Sequence, residues 1–258
     1  MTFNIRLDHA DDSLNNWQYR KDIAAQAIKN YDVDIVGTQE VLPNQMQDLR
    51  ERLSEYTALG VGREDGANKG EYSALFYKKD KFKEIKSGTF WLSETPEKPG
   101  SMGWDAACTR VATWALLEDI TTSKRFFAIN THLDHIGQKA RINGVSLILK
   151  KAHAIAGGLS VILTGDFNSE PTSDVIQHVI SNKIPNHLVN SRDIAITKND
   201  ALGTFHDFGR LPENKREYID YIFVSKGTKV LEYKVAEEKM NNIFLSDHNP
   251  VFAKIVIK

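Results

Sequence analysis

Val161-Ile162-Leu163-Thr164-Gly165-Asp166-Phe167-Asn168 reads as an apolar strand over 160–165 that runs straight into two polar side chains. Asp166 and Asn168 are two apart, so extended backbone sets them on one side while Phe167 turns back into the core. Near the C-terminus the order is reversed: Ser246-Asp247-His248-Asn249-Pro250 comes just before the apolar run Val251-Phe252-Ala253. Thr2-Phe3-Asn4, Gln39-Glu40, Asn130-Thr131-His132 and Ile219-Asp220-Tyr221 add further oxygens and an imidazole at the ends of apolar segments.

Working outward, further strands are expected at 2–6, 34–38, 56–60, 72–78, 83–90, 110–118, 125–131, 218–224, 229–235 and 251–257. Asn15 or Asn16 can cap a helix from Trp17 to about Lys29, with Tyr19, Ile23, Ala24, Ala27 and Ile28 on its packing face. Pro43, suited to a first helical position, opens a helix to about Leu53. Two more helices run from about Gln138 to Ala156, ended by Gly157-Gly158, and from Thr172 to Ser181. Helices set among strands without strict alternation suggest two sheets packed face to face with helices outside. The motifs span residues 4 to 248 with no linker, repeat or low-complexity run between them, so 1–258 reads as a single domain.

Lys and Arg number 33 against 34 Asp and Glu, a net charge of −1. No basic block marks a nucleic-acid stripe, although local charge in a groove leaves a nuclease open. The one cysteine, Cys108, excludes an intrachain disulfide and a cysteine metal cluster. No stretch approaches the ~18 apolar residues of a membrane span, and no signal peptide is evident. A cytoplasmic monomer is expected. Met1 runs directly into the first strand, so a removed leader upstream stays open as an alternative.

The strand-end groups suit a divalent metal, an activated water and a stabilised phosphate. Asn4 and Glu40 as a pair suit a Mg²⁺-type site, in which few protein oxygens bind and waters fill the rest. Asp166 can take the proton of an attacking water, with Asn168 bonding that water or the phosphate. His132 and His248 each have a carboxylate candidate nearby, Asp220 and Asp247 among them, to fix the tautomer and raise basicity. Two charged imidazoles flanking a phosphate would stabilise charge in the transition state. His9, His153, His178 and His187 lack such context and are expected at the surface.

Taken in order along the chain, these motifs, with Glu71-Tyr72-Ser73-Ala74 and Arg110, resemble the endonuclease/exonuclease/phosphatase superfamily with its DNase I-like fold. The resemblance implies an α+β, four-layer α/β/β/α sandwich of two mixed sheets. It implies Asn4 and Glu40 as metal ligands with Asp247 close by, and Mg²⁺ or Mn²⁺ as the cofactor. Asp166 is then the water-orienting base, Asn168, His132 and His248 phosphate contacts, and Asp220 the partner of His248. Arg6 stands where the abasic-site repair branch carries Asp, and His132 where it commonly has Tyr, which disfavours that activity. Glu71 corresponds to a Glu that partners His132 in the secreted deoxyribonuclease branch. Arg110, as a planar fork, suits a phosphate oxygen. Trp104 and Asp105, on the long 91–109 loop, and His206, with Arg6 and Tyr72, are the candidates on the substrate side.

The expected activity is metal-assisted attack of water on phosphorus, as a phosphodiesterase or phosphatase. Nucleic acids, phosphorylated small molecules such as sugar or inositol phosphates, and phospholipid head groups all remain as substrates. A nuclease and a catalytically inert binding module on the same fold are the alternatives.

Overall fold

The computed structural model describes residues 1–181, 187–201, 203–236 and 239–257. Their strands are β1 (Thr2–Asn4), β2 (Ile35–Val41), β3 (Tyr56–Leu59), β4 (Tyr72–Lys78), β5 (Phe82–Trp91), β6 (Val111–Asp119), β7 (Arg125–His132), β8 (Ser160–Asp166), β9 (Leu188–Asn190), β10 (Thr197–Asn199), β11 (Asp220–Ser225), β12 (Lys229–Val235), β13 (Lys239–Met240), β14 (Ile243–Phe244) and β15 (Val251–Val256). The helices are α1 (Trp17–Asn30), α2 (Pro43–Arg52), α3 (Gln138–Ala156), α4 (Asp174–Ser181) and the short α5 (Ser191–Ile194).

One sheet has the order β10-β12-β15-β1-β2-β4-β3 and the other β5-β6-β7-β8-β11-β9. β1–β2, β7–β8 and β10–β12 are parallel pairs and the other ladders of these two sheets antiparallel, so both sheets are mixed. Three apolar clusters separate the layers. Phe3, Trp17, Ile28, Met46 and Leu49 fill the space between the first sheet and α1 and α2. Leu75, Phe126, Ile162, Ile222 and Tyr233 lie between the sheets. Phe127, Leu163, Ile148 and Ile176 join the second sheet to α3 and α4. Three such interfaces make four layers, the α/β/β/α sandwich of a DNase I-like fold. No described helix is long and apolar enough to cross a membrane.

The helix boundaries follow their local chemistry. Asn16 caps α1 by accepting the Gln18 N–H, and Gly157 closes α3 in a left-handed conformation, φ 56°. The packing face of α1 holds the expected Ala24, Ala27 and Ile28, with Ile23 half-buried against the same core, and differs at Tyr19. Trp17, Arg20, Ala24 and Ile28 are buried, whereas Tyr19 is exposed. β9, β10, β13 and β14, of two or three residues each, are too short for a period-2 signal.

A polar bridge pins the two sheets together. Asn130 of β7 is fully buried, and its Nδ2 donates to the Thr38 and Ala74 carbonyls of the opposite sheet at 2.9 and 3.0 Å. Its Oδ1 accepts from Gln39 Nε2 at 2.7 Å and Thr164 Oγ1 at 3.0 Å. Gly37 leaves room for this bridge: a Cβ there would stand 2.2 Å from Asn130 Oδ1 and 2.4 Å from Thr164 Oγ1. Gly37→Ala should therefore lower stability by about 1–3 kcal/mol, the usual size of an overpacking penalty. Urea unfolding reads this as a lower midpoint, and an unchanged midpoint would mean that the sheets part locally without penalty.

Candidate active site

Strand direction decides which side chains meet. β1 and β2 run parallel, as do β7 and β8, so Asn4, Glu40, His132 and Asp166 gather at or near C-terminal ends. β11 and β15 run antiparallel to β8 and β1 and deliver Asp220 and the segment before Val251 to the same edge. Asp166 is thereby paired with both His132 and Asp220. A register shift in the β2–β4 ladder between Thr38 and Val41 contains Glu40, whose backbone is left-handed at φ 61°. Such a bulge re-aims a side chain that would otherwise follow the ladder. Arg6 (φ 56°) and Asn168 (φ 46°) are also left-handed, each at a cost of roughly 1–2 kcal/mol for a residue with a Cβ.

Asn4 joins the carboxylates. Its Nδ2 donates to Glu40 Oε1 and to Asp166 Oδ2, both at 3.0 Å. The Leu7 amide donates to Glu40 Oε2 at 3.0 Å. His248 Nδ1 donates to Asp220 Oδ2 at 2.9 Å, and its Nε2 lies 3.8 Å from Asp166 Oδ2. Asp166 Oδ1 accepts the Asn168 amide at 2.9 Å. Asn168 Nδ2 donates to His132 Nε2 and to the Leu133 carbonyl, both at 3.0 Å.

The two imidazoles have opposite electrostatics. Burial disfavours the charge of His248, but Asp220, Asp166 and Asp247 outweigh it and hold its pKa well above 6.5. Burial, then the Arg110 and Arg63 charges, hold His132 well below 6.5. These directions favour charge on His248 and oppose it on His132, whose Nε2 also lies 3.4 Å from Asp166 Oδ2. Neutral His132 accepts from Asn168 on Nε2 and carries its proton on a buried Nδ1 that has no partner among the described residues. Asp166 is pushed up to about 7, by burial first and then by Asp220. Burial and Glu40 also raise Asp247. Burial works against the Glu40 charge, but Asn4, His248, the Leu7 amide and Arg6 draw its pKa down.

Arg110 is buried beside this cluster. Its Nη2 donates to His135 Nδ1 at 3.1 Å and its Nε lies 3.8 Å from Asp134 Oδ2. Its Nε and Nη1 are buried without hydrogen-bond partners among the described residues. A guanidinium with open donors next to a neutral histidine suits an oxyanion. The sequence reading does not single out Arg63, Asp134 or His135. The string His132-Leu133-Asp134-His135 carries a signal for the last two, whereas nothing around Arg63 marks it.

Several expected contacts are otherwise engaged. Asn4 turns its amide nitrogen to Glu40 and Asp166 and accepts the Arg6 N–H on its oxygen at 3.0 Å, so it ties the two carboxylates together. Glu71 does not partner His132; Arg63 holds it through two bonds of 2.8 and 2.7 Å. Arg6 grips Asp12 at 3.0 and 3.1 Å and lies 3.7 Å from Asp247. The Tyr72 hydroxyl ties down the Ala67–Asn68 turn. Asp105 caps α3, accepting the Ala140 amide at 2.7 Å across Gly137, the N-cap residue that has no side chain to do so. His206 is fully buried, takes the Gly209 N–H on Nδ1 and stacks on Phe244. Burial, then the His248 charge, lower it to about 3. Trp104 stands half-buried on its loop, with its amide on the Glu94 carboxylate. His178, expected at the surface, is half-buried and bonds Ser146 Oγ at 2.8 Å.

A divalent cation fits the Glu40–Asp247 side. The two carboxylates oppose one another's ionisation, and the donors are hard oxygens. Among the described residues two other groups bring ligand-type side chains together, Asp166, Asp220 and His248 in the line already described, and Cys108, Asp134 and His135, which fit a metal poorly. Asp134 already accepts the amides of Ala107, Cys108, Ile136 and Gly137, and the Arg110 cation abuts Asp134 and His135.

A two-sheet sandwich with a carboxylate–imidazole edge of this kind defines a phosphoesterase class. Residues 1–248 match the model of the Endonuclease/Exonuclease/phosphatase family, and the chain belongs to that family. Its members are generally phosphoester hydrolases and typically use divalent metals. The crystal structure of an endonuclease/exonuclease/phosphatase from Bacteroides vulgatus is 47% identical, with a TM-score of 0.96 over 100% of this chain and 97% of that one. A mannosyl-6-phosphatase from Bacteroides thetaiotaomicron is 36% identical, with a TM-score of 0.92 over 99% and 98%. Among curated proteins, a probable CCR4-Not complex 3'-5'-exoribonuclease subunit Ccr4 from Enterocytozoon bieneusi is 26% identical; the match takes in 100% of this chain but 63% of that protein.

The raised Asp166 pKa has a consequence for the metal-free protein. Its native carboxyl holds a proton that the unfolded chain releases near 3.8, so stability falls as pH rises from there to about 7. His248 acts with the same sign: its charged form stabilises below 6.5, and that contribution is lost as pH rises through its higher native value. Asp166→Asn should remove the first contribution. In EDTA the variant should gain stability over the wild type at about pH 7.5 and much less at about pH 4.5. Denaturant midpoints at the two pH values measure this, and an equal difference at both would contradict the raised pKa.

Proposed function

We propose that this chain is a divalent-metal-dependent phosphoester hydrolase that acts, as one unit over residues 1–258 and as a monomer, on a small phosphorylated compound, in first place a sugar phosphate. The observation that carries the hydrolase reading is the buried line Asp220–His248–Asp166–Asn4–Glu40, with spacings of 2.9, 3.8, 3.0 and 3.0 Å. A phosphatase on a sugar phosphate is supported by the 36% identity to a mannosyl-6-phosphatase over nearly the whole of both chains. The near-zero net charge agrees with it, since nucleic-acid binding draws on a basic surface.

Asp166 is the group to accept a proton from the attacking water. A carboxylate drawn up to about 7 by burial is a better base than an ordinary one. The Asn168 side chain and the neutral His132 line the same side. His248, kept charged chiefly by Asp220, faces the negative charge that builds on phosphorus oxygens. Arg110 offers its open Nε and Nη1 to the same group. Glu40 and Asp247 would hold the Mg²⁺ or Mn²⁺, which when bound supplies Lewis-acid neutralisation of the phosphate.

A panel of hexose 6-phosphates, a generic aryl phosphodiester and single-stranded RNA, each with Mg²⁺, Mn²⁺ or EDTA, tests this. Metal-dependent phosphate release from a hexose phosphate is expected, with no release in EDTA. Turnover confined to RNA would replace the substrate by a nucleic acid, and inertness on every member would favour a binding module. On whichever substrate is turned over, Asp166→Asn should lower kcat by about 10²–10⁴-fold, the range for a lost general base. A variant with a tenth of wild-type turnover would leave Asp166 without that role.

A further inference from the structure

Arg20 is a cation with zero exposure on the packing face of α1. Its guanidinium donates to main-chain carbonyls. Nη1 bonds both Ile5 O at 2.7 Å and Leu245 O at 3.0 Å, Nη2 reaches Arg6 O at 3.4 Å, and Nε bonds Asn15 O. The Trp17 and Phe208 rings each lie 5.5 Å from its Cζ. Burying a guanidinium among apolar groups is costly unless its donors are used, and here they join segments far apart in sequence.

Those segments lead to one place. Ile5 and Arg6 follow Asn4 directly, and Leu245 precedes Ser246-Asp247-His248. Asn15 ends the 3₁₀ turn Ala10–Asn15, which carries Asp12, the partner of Arg6. Because one nitrogen of Arg20 holds both Ile5 O and Leu245 O, it fixes the end of β1 against the loop that carries Asp247. Arg6, held by Asp12 and facing Asp247 at 3.7 Å, rides on the same anchor. Glu40 is tied in through Asn4 and the Leu7 amide.

We propose that Arg20 is a positioning residue for the cation side of the site, setting the spacing between the Asn4–Leu7 segment and Asp247 without touching substrate or metal. The proposal rests on the hydrolase reading above. Two other roles make different predictions. As a mere counter-charge to Glu40, Asp247 and Asp12, Arg20 would weaken cation binding, so neutralising it would tighten binding. As a mere packing element it would affect stability alone.

Arg20→Lys keeps the charge and removes the planar fork, and Arg20→Met keeps apolar bulk and removes both. Mn²⁺ uptake, followed as free Mn²⁺ by electron paramagnetic resonance well below the melting temperature of each protein, separates the roles without any turnover. Disturbing the groups behind metal ligands typically weakens affinity by about 10–100-fold. We expect the Mn²⁺ Kd of Arg20→Lys to rise about ten-fold, with near-wild-type far-ultraviolet circular dichroism. An unchanged Kd in Arg20→Lys, whatever its melting temperature, would overturn the proposal, as would a tighter Kd in Arg20→Met. Arg20→Lys carries the decision if Arg20→Met does not fold. A wild type that takes up no Mn²⁺ is a separate outcome: it would remove the hydrolase reading and this inference with it.

Discussion

Asp166, Asp220, Asp247 and Glu40 lie at one sheet edge, and the first three are almost completely buried. Carboxylates this close cannot all ionise in a dry site unless something opposes them. The hydrogen bond from His248 Nδ1 to Asp220 Oδ2 is the first of those oppositions. It keeps a positive charge between Asp220 and Asp166, which the raised pKa of His248 reflects; at Asp166 the same charge pulls the pKa down, but burial and Asp220 outweigh it. Asn4 and the Leu7 amide do the same for Glu40 with neutral donors, and Arg6 and Arg20 stand behind Asp247 and Asp12. Much of the sequence around the edge exists to make that charge tolerable.

The strand-end strings were readable because a period-2 apolar run has a definite end, and a polar residue just past it has few places to go. That reasoning applies to Asp166, Asn168, His248 and Glu40 alike. The layers were readable for a related reason: α3 is bounded by Gln138 and Gly157 as its local signals require. Partnerships were not readable. Glu71 turns to Arg63, eight residues away in the same loop, and a strand register gives no hint of that choice. Nor does sequence tell which of two histidines is charged. His132 and His248 have similar contexts in the chain and both lie beside Asp166, but burial and two arginines lower the pKa of the first while three aspartates raise that of the second.

Arg20 and Asn130 illustrate a second limit. Both are polar groups on core-facing positions, where pattern rules expect an apolar residue. Each finds most of its hydrogen bonds on groups from distant segments, so the reason for its presence exists only once the chain is folded. Asn130 closes the gap between sheets over Gly37, and Arg20 closes the gap between β1 and the Asp247 loop.

The edge is therefore divided. On the β1–β2 side stand Glu40, Asp247, Asp12 and the arginines that offset them; on the other stand Arg110 before β6, His132 of β7, Asn168 after β8 and Arg63 of the β3–β4 loop. The first side is rich in carboxylate oxygens and the second in nitrogen donors. Asp166 touches both, through Asn4 on one side and Asn168 on the other, each at hydrogen-bond distance of 3.0 and 2.9 Å. A proton acceptor at the boundary can meet water that approaches phosphorus while cationic groups on the two flanks share the charge. The raised pKa of Asp166 is the electrostatic price of that position: a base that sat wholly among cations would stay ionised but would be too weak to accept a proton near neutral pH.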